Sequence, residues 1–199
     1  MTKKQIKTQT KKYIFIGLVA IALVFVLFQF RKGGEFRIAK KAFNSGNYAE
    51  AAELFSQLGT YSDSDRFVIY CKALDAFGQE DYEASLELFE SLGTFQKSTK
   101  YALYTQGMIA YQNSQYWEAA SLFIDSGDSL LGHADFLDNE TKAQMCYYAS
   151  GQILEATGDY TRAITCYRLA ENYEDAPERL RECEEAMKNG GNISGDHVG

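Results

Sequence analysis

The chain opens on a short lysine-rich stretch and then turns wholly apolar: Tyr13 to Phe30 is an uncharged run of 18 residues. At about 1.5 Å per residue, a helix of that length spans about 27 Å, close to the roughly 30 Å hydrocarbon core of a bilayer. A helix packed in a soluble core keeps a polar face, and this run has none. It ends in Gln29-Phe30-Arg31-Lys32 without a small-x-small cleavage pattern. It therefore reads as a retained single-pass anchor rather than a cleaved secretory signal. The expected organisation is a basic N-terminus over 1–12, a transmembrane helix over 13–30, a helical domain over 31–188 and a disordered tail over 189–199.

Beyond the anchor the apolar positions follow a longer ruler. Tyr48, Tyr82 and Tyr116 are 34 residues apart, and Tyr160 follows after 44, which places a ten-residue insertion in the third unit. Twelve residues before each tyrosine stands an aromatic: Phe36, Tyr70, Tyr104, Tyr148. Nine before is a small residue, Ala39, Ala73, Gly107 or Gly151, and three after is another, Ala51, Ser85, Ala119 or Ala163. Seven after comes Phe55, Phe89, Phe123 or Tyr167; eleven after comes Gly59, Gly93 or Gly127, with Glu171 breaking the column.

Each unit predicts two amphipathic helices with the tyrosine opening the second, after turns such as Ser45-Gly46-Asn47 and Gly158-Asp159. The small columns mark a close approach of two helix backbones, where a large side chain would force them apart. The aromatic seven after the tyrosine lies two turns along the same face and fills the space between units. The glycine eleven after is suited to end the helix in a left-handed conformation. Ser62 with Asp65 fits a capping signature for the next helix, and Asp175-Ala176-Pro177-Glu178 fits one for a last helix reaching about Lys188. The expectation is a strandless body of nine helices, four pairs and a polar capping helix. Leu130, Leu131 and Phe136 predict that the insertion packs down as a short turn.

A 34-residue helix–turn–helix unit with Gly-Asp/Asn-Tyr-x-x-Ala and a following aromatic resembles the tetratricopeptide repeat, over about residues 35–172. The proline that ends the family's units is absent. Leu58-Gly59-Thr60-Tyr61 and Leu92-Gly93-Thr94-Phe95 stand there instead, similar to divergent repeats of bacterial membrane proteins. The resemblance implies an all-α solenoid that binds a protein or peptide on its concave face. In that family the face is lined at fifteen, twelve, eight and five residues before the reference tyrosine. The positions are Phe67, Tyr70, Leu74 and Phe77; Tyr101, Tyr104, Met108 and Tyr111; and Met145, Tyr148, Gln152 and Glu155. Two roles are open for the ten apolar ones: a solvent-facing groove, or packing between neighbouring units.

Charge narrows the function classes. The chain carries −7 overall, yet its first twelve residues hold five lysines and no acid, which leaves a body of 15 basic and 27 acidic groups. A body that acidic lacks the basic footprint of a nucleic-acid binder. The acid-free lysine cluster points to a cytoplasmic N-terminus, with the body outside the plasma membrane. The four cysteines (Cys71, Cys146, Cys166, Cys183) form no C-x-x-C pair and read as small core residues. His133 and His197 have no nucleophile in a recognisable setting, and no phosphate loop or H-E-x-x-H spacing occurs. These features predict a membrane-tethered adaptor without catalytic residues, cofactor or metal. Self-association as a spacer, or a repeat body facing the cytosol as a docking receptor, stand as alternatives.

Overall fold

The computed structural model describes the backbone of residues 3–127 and 138–190, with the side chains from Ile14 onward within them. The insertion residues Leu130, Leu131, His133 and Phe136, and the tail from residue 191, lie outside the described residues. Nine α-helices occur among those described: α1 (Lys3–Asn44), α2 (Tyr48–Ser56), α3 (Ser64–Gly78), α4 (Tyr82–Leu92), α5 (Ser98–Gln112), α6 (Tyr116–Ser126), α7 (Asn139–Ala156), α8 (Tyr160–Ala170) and α9 (Ala176–Lys188). No strand occurs among them. The fold is all-α and solenoid-like, with an N-terminal apolar helix. The chain forms two compact units, residues 1–72 and 73–199.

The anchor and the first repeat helix, expected as two elements with a boundary near residue 30, are one unbroken helix of 42 residues. Its segment Ile14–Asn44 is long and apolar enough to cross a membrane, and the rest of the chain covers none of its most apolar part. Gly33 and Gly34 look like a breaker in the sequence but stay helical, at about 1 kcal/mol each relative to alanine. Two side-chain bonds start just before them. Arg31 Nε donates to Glu35 at 2.8 Å across one turn, and Lys32 Nζ donates to the Leu58 carbonyl at 3.1 Å.

The turn inside each pair has one geometry whatever its sequence. Two residues before the reference tyrosine, Gly46, Glu80, Ser114 and Gly158 all take positive φ, between 61° and 79°. Each is followed by an amide that reaches back five residues to a carbonyl: Asn47 to Ala42, Asp81 to Ala76, Gln115 to Ala110, Asp159 to Leu154, at 2.9–3.1 Å. This is the Schellman closure, and its two hydrogen bonds, not the residue type, impose the left-handed step. The connector between pairs repeats likewise: Gly59, Gly93 and Glu171 have positive φ, and so do Ser62, Gln96 and Glu174 three residues on. Gly127 departs from its column, with φ −86°, where the third unit runs into the insertion.

Two expected caps are not formed. Ser62 sits left-handed in a 3-10 turn, Tyr61–Asp63, and not in the extended conformation an N-cap needs. Asp175 precedes α9 but its carboxylate makes no cap bond; it is turned towards other partners described below. Caps of the ordinary kind appear at α4 and α8, where Asp81 and Asp159 accept from the amides of Ala84 and Arg162.

The small columns are where backbones meet. Ala39, Ala51, Ala73, Ser85, Ala119 and Ala163 are fully buried. Ser85 Oγ donates to the Ala73 carbonyl at 3.0 Å, which places the two columns against each other in the second pair. A methyl added at Gly107 would lie 2.8 Å from the Phe123 ring, and one at Gly151 would lie 2.7 Å from Tyr167. Phe55, Phe89, Phe123 and Tyr167, the aromatics seven after each tyrosine, are the largest fully buried side chains.

Candidate functional site

The residues expected to line a concave groove fall into two groups. Phe67, Tyr70, Leu74, Tyr101 and Tyr104 are 3–6% exposed and belong to the core. Phe77, Met108, Tyr111, Met145 and Tyr148 are half-buried, and Glu155 is partly covered while Gln152 is exposed. Of the two roles open for these positions, burial fits packing between neighbouring units for the first five.

Rings make that stacking periodic. In the first unit Phe67 stacks flat on Phe55 of the preceding pair, with centroids 4.8 Å apart and planes 15° apart. In the second, Tyr101 lies on Phe89 at 5.0 Å and 16°. The ring twelve before the tyrosine meets the one seven after it within a pair: Phe36 with Phe55 at 5.5 Å, Tyr104 with Phe123 at 5.0 Å, Tyr148 with Tyr167 at 5.9 Å. The ring five before bridges onward, Phe43 to Tyr70 and Phe77 to Tyr104, both at 5.8 Å. Offset and edge-on pairs of this kind add about 0.5–1.5 kcal/mol each beyond area burial. The aromatic columns thus hold neighbouring pairs together within each unit.

Burial pushes Tyr104 up to about 12, with the nearby Asp138 and Tyr82 acting in the same direction, and pushes the Cys71 and Cys146 thiols up to about 12. Tyr167 is raised further by burial and by its hydrogen bond to Glu155. In each case the fold favours the neutral, protonated form. The stability this contributes is complete below the ordinary values, near 9 for a thiol and 10 for a tyrosine, and is lost as pH rises above them. Thermal melts followed by circular dichroism should be flat from about pH 6 to 8 and fall steadily above about pH 9. A melting temperature unchanged up to about pH 11 would contradict this.

The fourth pair keeps its ring contact and adds a polar network to it. The Tyr148 hydroxyl donates to Asp175, and Gln152 Nε2 donates to the same hydroxyl at 3.0 Å. Tyr167 Oη donates to Glu155 at 2.6 Å. Arg179 of α9 donates to Glu155 at 3.3 Å and to Asp175 at 3.2 Å. Hydrogen bonds from Tyr148, and then from Arg179, hold the Asp175 carboxyl below its ordinary value. The network ties α9 to α7 and engages the Arg179 guanidinium with two carboxylates.

A second surface was not anticipated. A hollow of about 710 Å³ opens between the start of α6 (Tyr116, Trp117), the last turns of α7 (Ser150, Ile153, Leu154) and α8 (Arg162, Thr165, Cys166). Trp117 is 56% exposed and Ile153 52%, and the indole meets the Tyr147 ring edge-on at 5.3 Å. Arg162 and Glu118 stand among its walls, Arg162 3.7 Å from Asp159. The signal was present in the columns. The residue after the reference tyrosine is Ala49, Glu83 and Thr161 elsewhere, and Trp117 is the only tryptophan of the chain. Ten before the tyrosine, Ser150 replaces Ile38, Lys72 and Gln106, which leaves the room for the hollow.

Among the described residues no group of three or more histidine, cysteine, aspartate or glutamate side chains is placed to hold a metal ion. Comparison of the chain with family models, with curated proteins and with solved structures finds no match.

Proposed function

We propose that this chain is a membrane-tethered adaptor of the tetratricopeptide-repeat kind. Its α1 crosses the plasma membrane once with the N-terminus in the cytoplasm. Its repeats capture a protein partner outside, and tethering raises the partner's effective concentration near the bilayer. The observation that carries the reading is Trp117, a large aromatic held half out of the surface at the mouth of the α6–α8 hollow. Tryptophans in such settings dominate binding energy at protein interfaces. The partner segment presents an apolar side chain to Trp117 and Ile153, with basic flanks that suit an acidic body.

The test places a photo-crosslinking residue at Glu118 of the full chain in its own membrane and maps the adduct. A single defined peptide of another protein, lost at least tenfold with Trp117→Ala, is the expected result. Trp117→Ala should cost the fold only about 1 kcal/mol, since the ring is exposed and gives up one edge-on contact. An adduct that survives Trp117→Ala would remove the hollow from the site. An adduct to a second copy of the chain would convert the adaptor into a self-associating spacer. Protease added to sealed cells stripped of their outer layers reads the orientation. Survival of the repeats while a known external domain is digested would make the chain a cytosol-facing docking receptor.

A further inference from the structure

The stretch of α1 just beyond its apolar run carries a feature the adaptor reading does not use. A hollow of about 540 Å³ is lined by Gln29, Phe30, Gly33, Gly34 and Arg37 of α1 and by Tyr61 of the 3-10 turn. Counted back from Arg37, the α1 residues stand three, four, seven and eight positions earlier, which is one face of a helix. Side chains of a helix lean towards its N-terminus, here the membrane side, so Arg37 leans back over Gly33 and Gly34. Those two positions have no side chain, and the space under the guanidinium is left open.

Packing explains one glycine and not the other. A methyl on Gly33 would come 3.3 Å from the Tyr61 hydroxyl, whereas one on Gly34 would meet nothing within 4 Å. Gly34 therefore weakens the helix with no steric reason. Nearby cations are engaged: Arg31 with Glu35, Lys32 with the Leu58 carbonyl and the Phe28 ring, Lys40 over Phe43 and Phe67. Arg37 is exposed and has no ion-pair partner among the described residues, and the Tyr61 hydroxyl has no hydrogen-bond partner there. Tyr61 is fixed in place by its edge contact with Phe36 at 6.1 Å.

Position selects the ligand. Arg37 lies seven residues past Phe30, about 10 Å along the axis, and its side chain reaches back towards a headgroup layer roughly 5–8 Å deep. We infer that the Arg37–Tyr61 hollow binds the phosphodiester of one anionic phospholipid, with Arg37 gripping the phosphate, Tyr61 donating a hydroxyl hydrogen bond and the acyl chains lying along Phe30. A guanidinium grips a phosphate with two parallel bonds, which a diffuse lysine cluster does not do. The inference rests on the reading of α1 as a membrane span.

The test is native mass spectrometry of the full chain released from nanodiscs of equal phosphatidylglycerol and phosphatidylcholine, after insertion has been measured separately in pure phosphatidylcholine. One phosphatidylglycerol should be retained over phosphatidylcholine by roughly tenfold, the factor expected for one charge-assisted contact. Arg37→Gln should abolish the preference. Gly34→Leu should do so as well while raising helix content, because its Cβ meets nothing within 4 Å and the rest of the side chain grows into the hollow. Lys41→Gln, on an exposed cation outside the hollow, should leave it intact. Equal retention of the two lipids, or an equal loss with Lys41→Gln, would reduce the effect to diffuse charge attraction and overturn the site. Displacement by millimolar glycerol phosphate in detergent would make it a soluble-anion site instead. Failure to insert into phosphatidylcholine at all would sink the membrane reading, a result distinct from loss of lipid preference.

Discussion

Tyr104→Ser should destabilise the chain by about 3–5 kcal/mol, whereas Tyr111→Ser, seven residues along the same helix, should cost about 1 kcal/mol. The two tyrosines occupy equivalent-looking positions on α5, twelve and five before Tyr116. Tyr104 is 6% exposed, meets Phe123 edge-on at 5.0 Å and Phe77 at 5.8 Å, and lies in the core cluster with Ala119, Ala120, Ala143 and Cys146. Serine there leaves a void the size of a phenol ring between three helices, which packed rings cannot collapse to fill. Tyr111 is half-buried, and its one ring contact among the described residues is to Tyr116 at 5.3 Å. Denaturant unfolding of the two single variants separates the roles. A small loss for Tyr104→Ser would return that residue to the solvent-facing surface, and a large loss for Tyr111→Ser would extend the core to the rim.

The same contrast shows how far the chain could be read before its structure. The 34-residue ruler placed the helix pairs because its small columns have one physical cause, the approach of two backbones, and Ser85 bonded to the Ala73 carbonyl displays it. The column fifteen before the tyrosine was ambiguous for a different reason. An apolar residue on a helix face needs a neighbour, but period alone does not say whether that neighbour is a client or the preceding pair. Phe67 on Phe55 and Tyr101 on Phe89 answer that it is the preceding pair, a matter of winding that no local pattern encodes. The first unit, with no pair before it, has Gly33 in that column, a clue visible only with the stacking known. The continuity of α1 does not follow from its apolar run, which ends at Phe30, and Gly33-Gly34 lower the helix propensity just beyond it. Trp117 matters by departing from its column, where the other units have Ala49, Glu83 and Thr161, and a repeat is legible only where its units agree.

Gly151→Ala should be the most damaging added methyl among the described helical glycines, costing about 1–3 kcal/mol, and Gly151→Leu should leave little folded protein. An alanine ordinarily stabilises a helix interior by up to about 1 kcal/mol over glycine, so the sign depends on what the methyl meets. At Gly151 it meets three carbons of the Tyr167 ring between 2.7 and 3.0 Å. The ring has no direction in which to retreat. It is fully buried, and its hydroxyl is held at 2.6 Å by Glu155, which Arg179 holds in turn. Gly107 makes the corresponding contact with Phe123 at 2.8 Å, but that ring has no polar tether, so Gly107→Ala should cost less. Gly78 is the control, because a methyl there meets nothing within 4 Å and Gly78→Ala should be neutral or stabilising. The tether itself is tested by a double-mutant cycle. In a Tyr167→Phe background the ring is free to shift, and Gly151→Ala should cost less than in the parent by about 0.5–1 kcal/mol. Strict additivity of the two changes would mean that the helix backbones, and not the Glu155 bond, fix the ring, and the two glycines would then be equally intolerant.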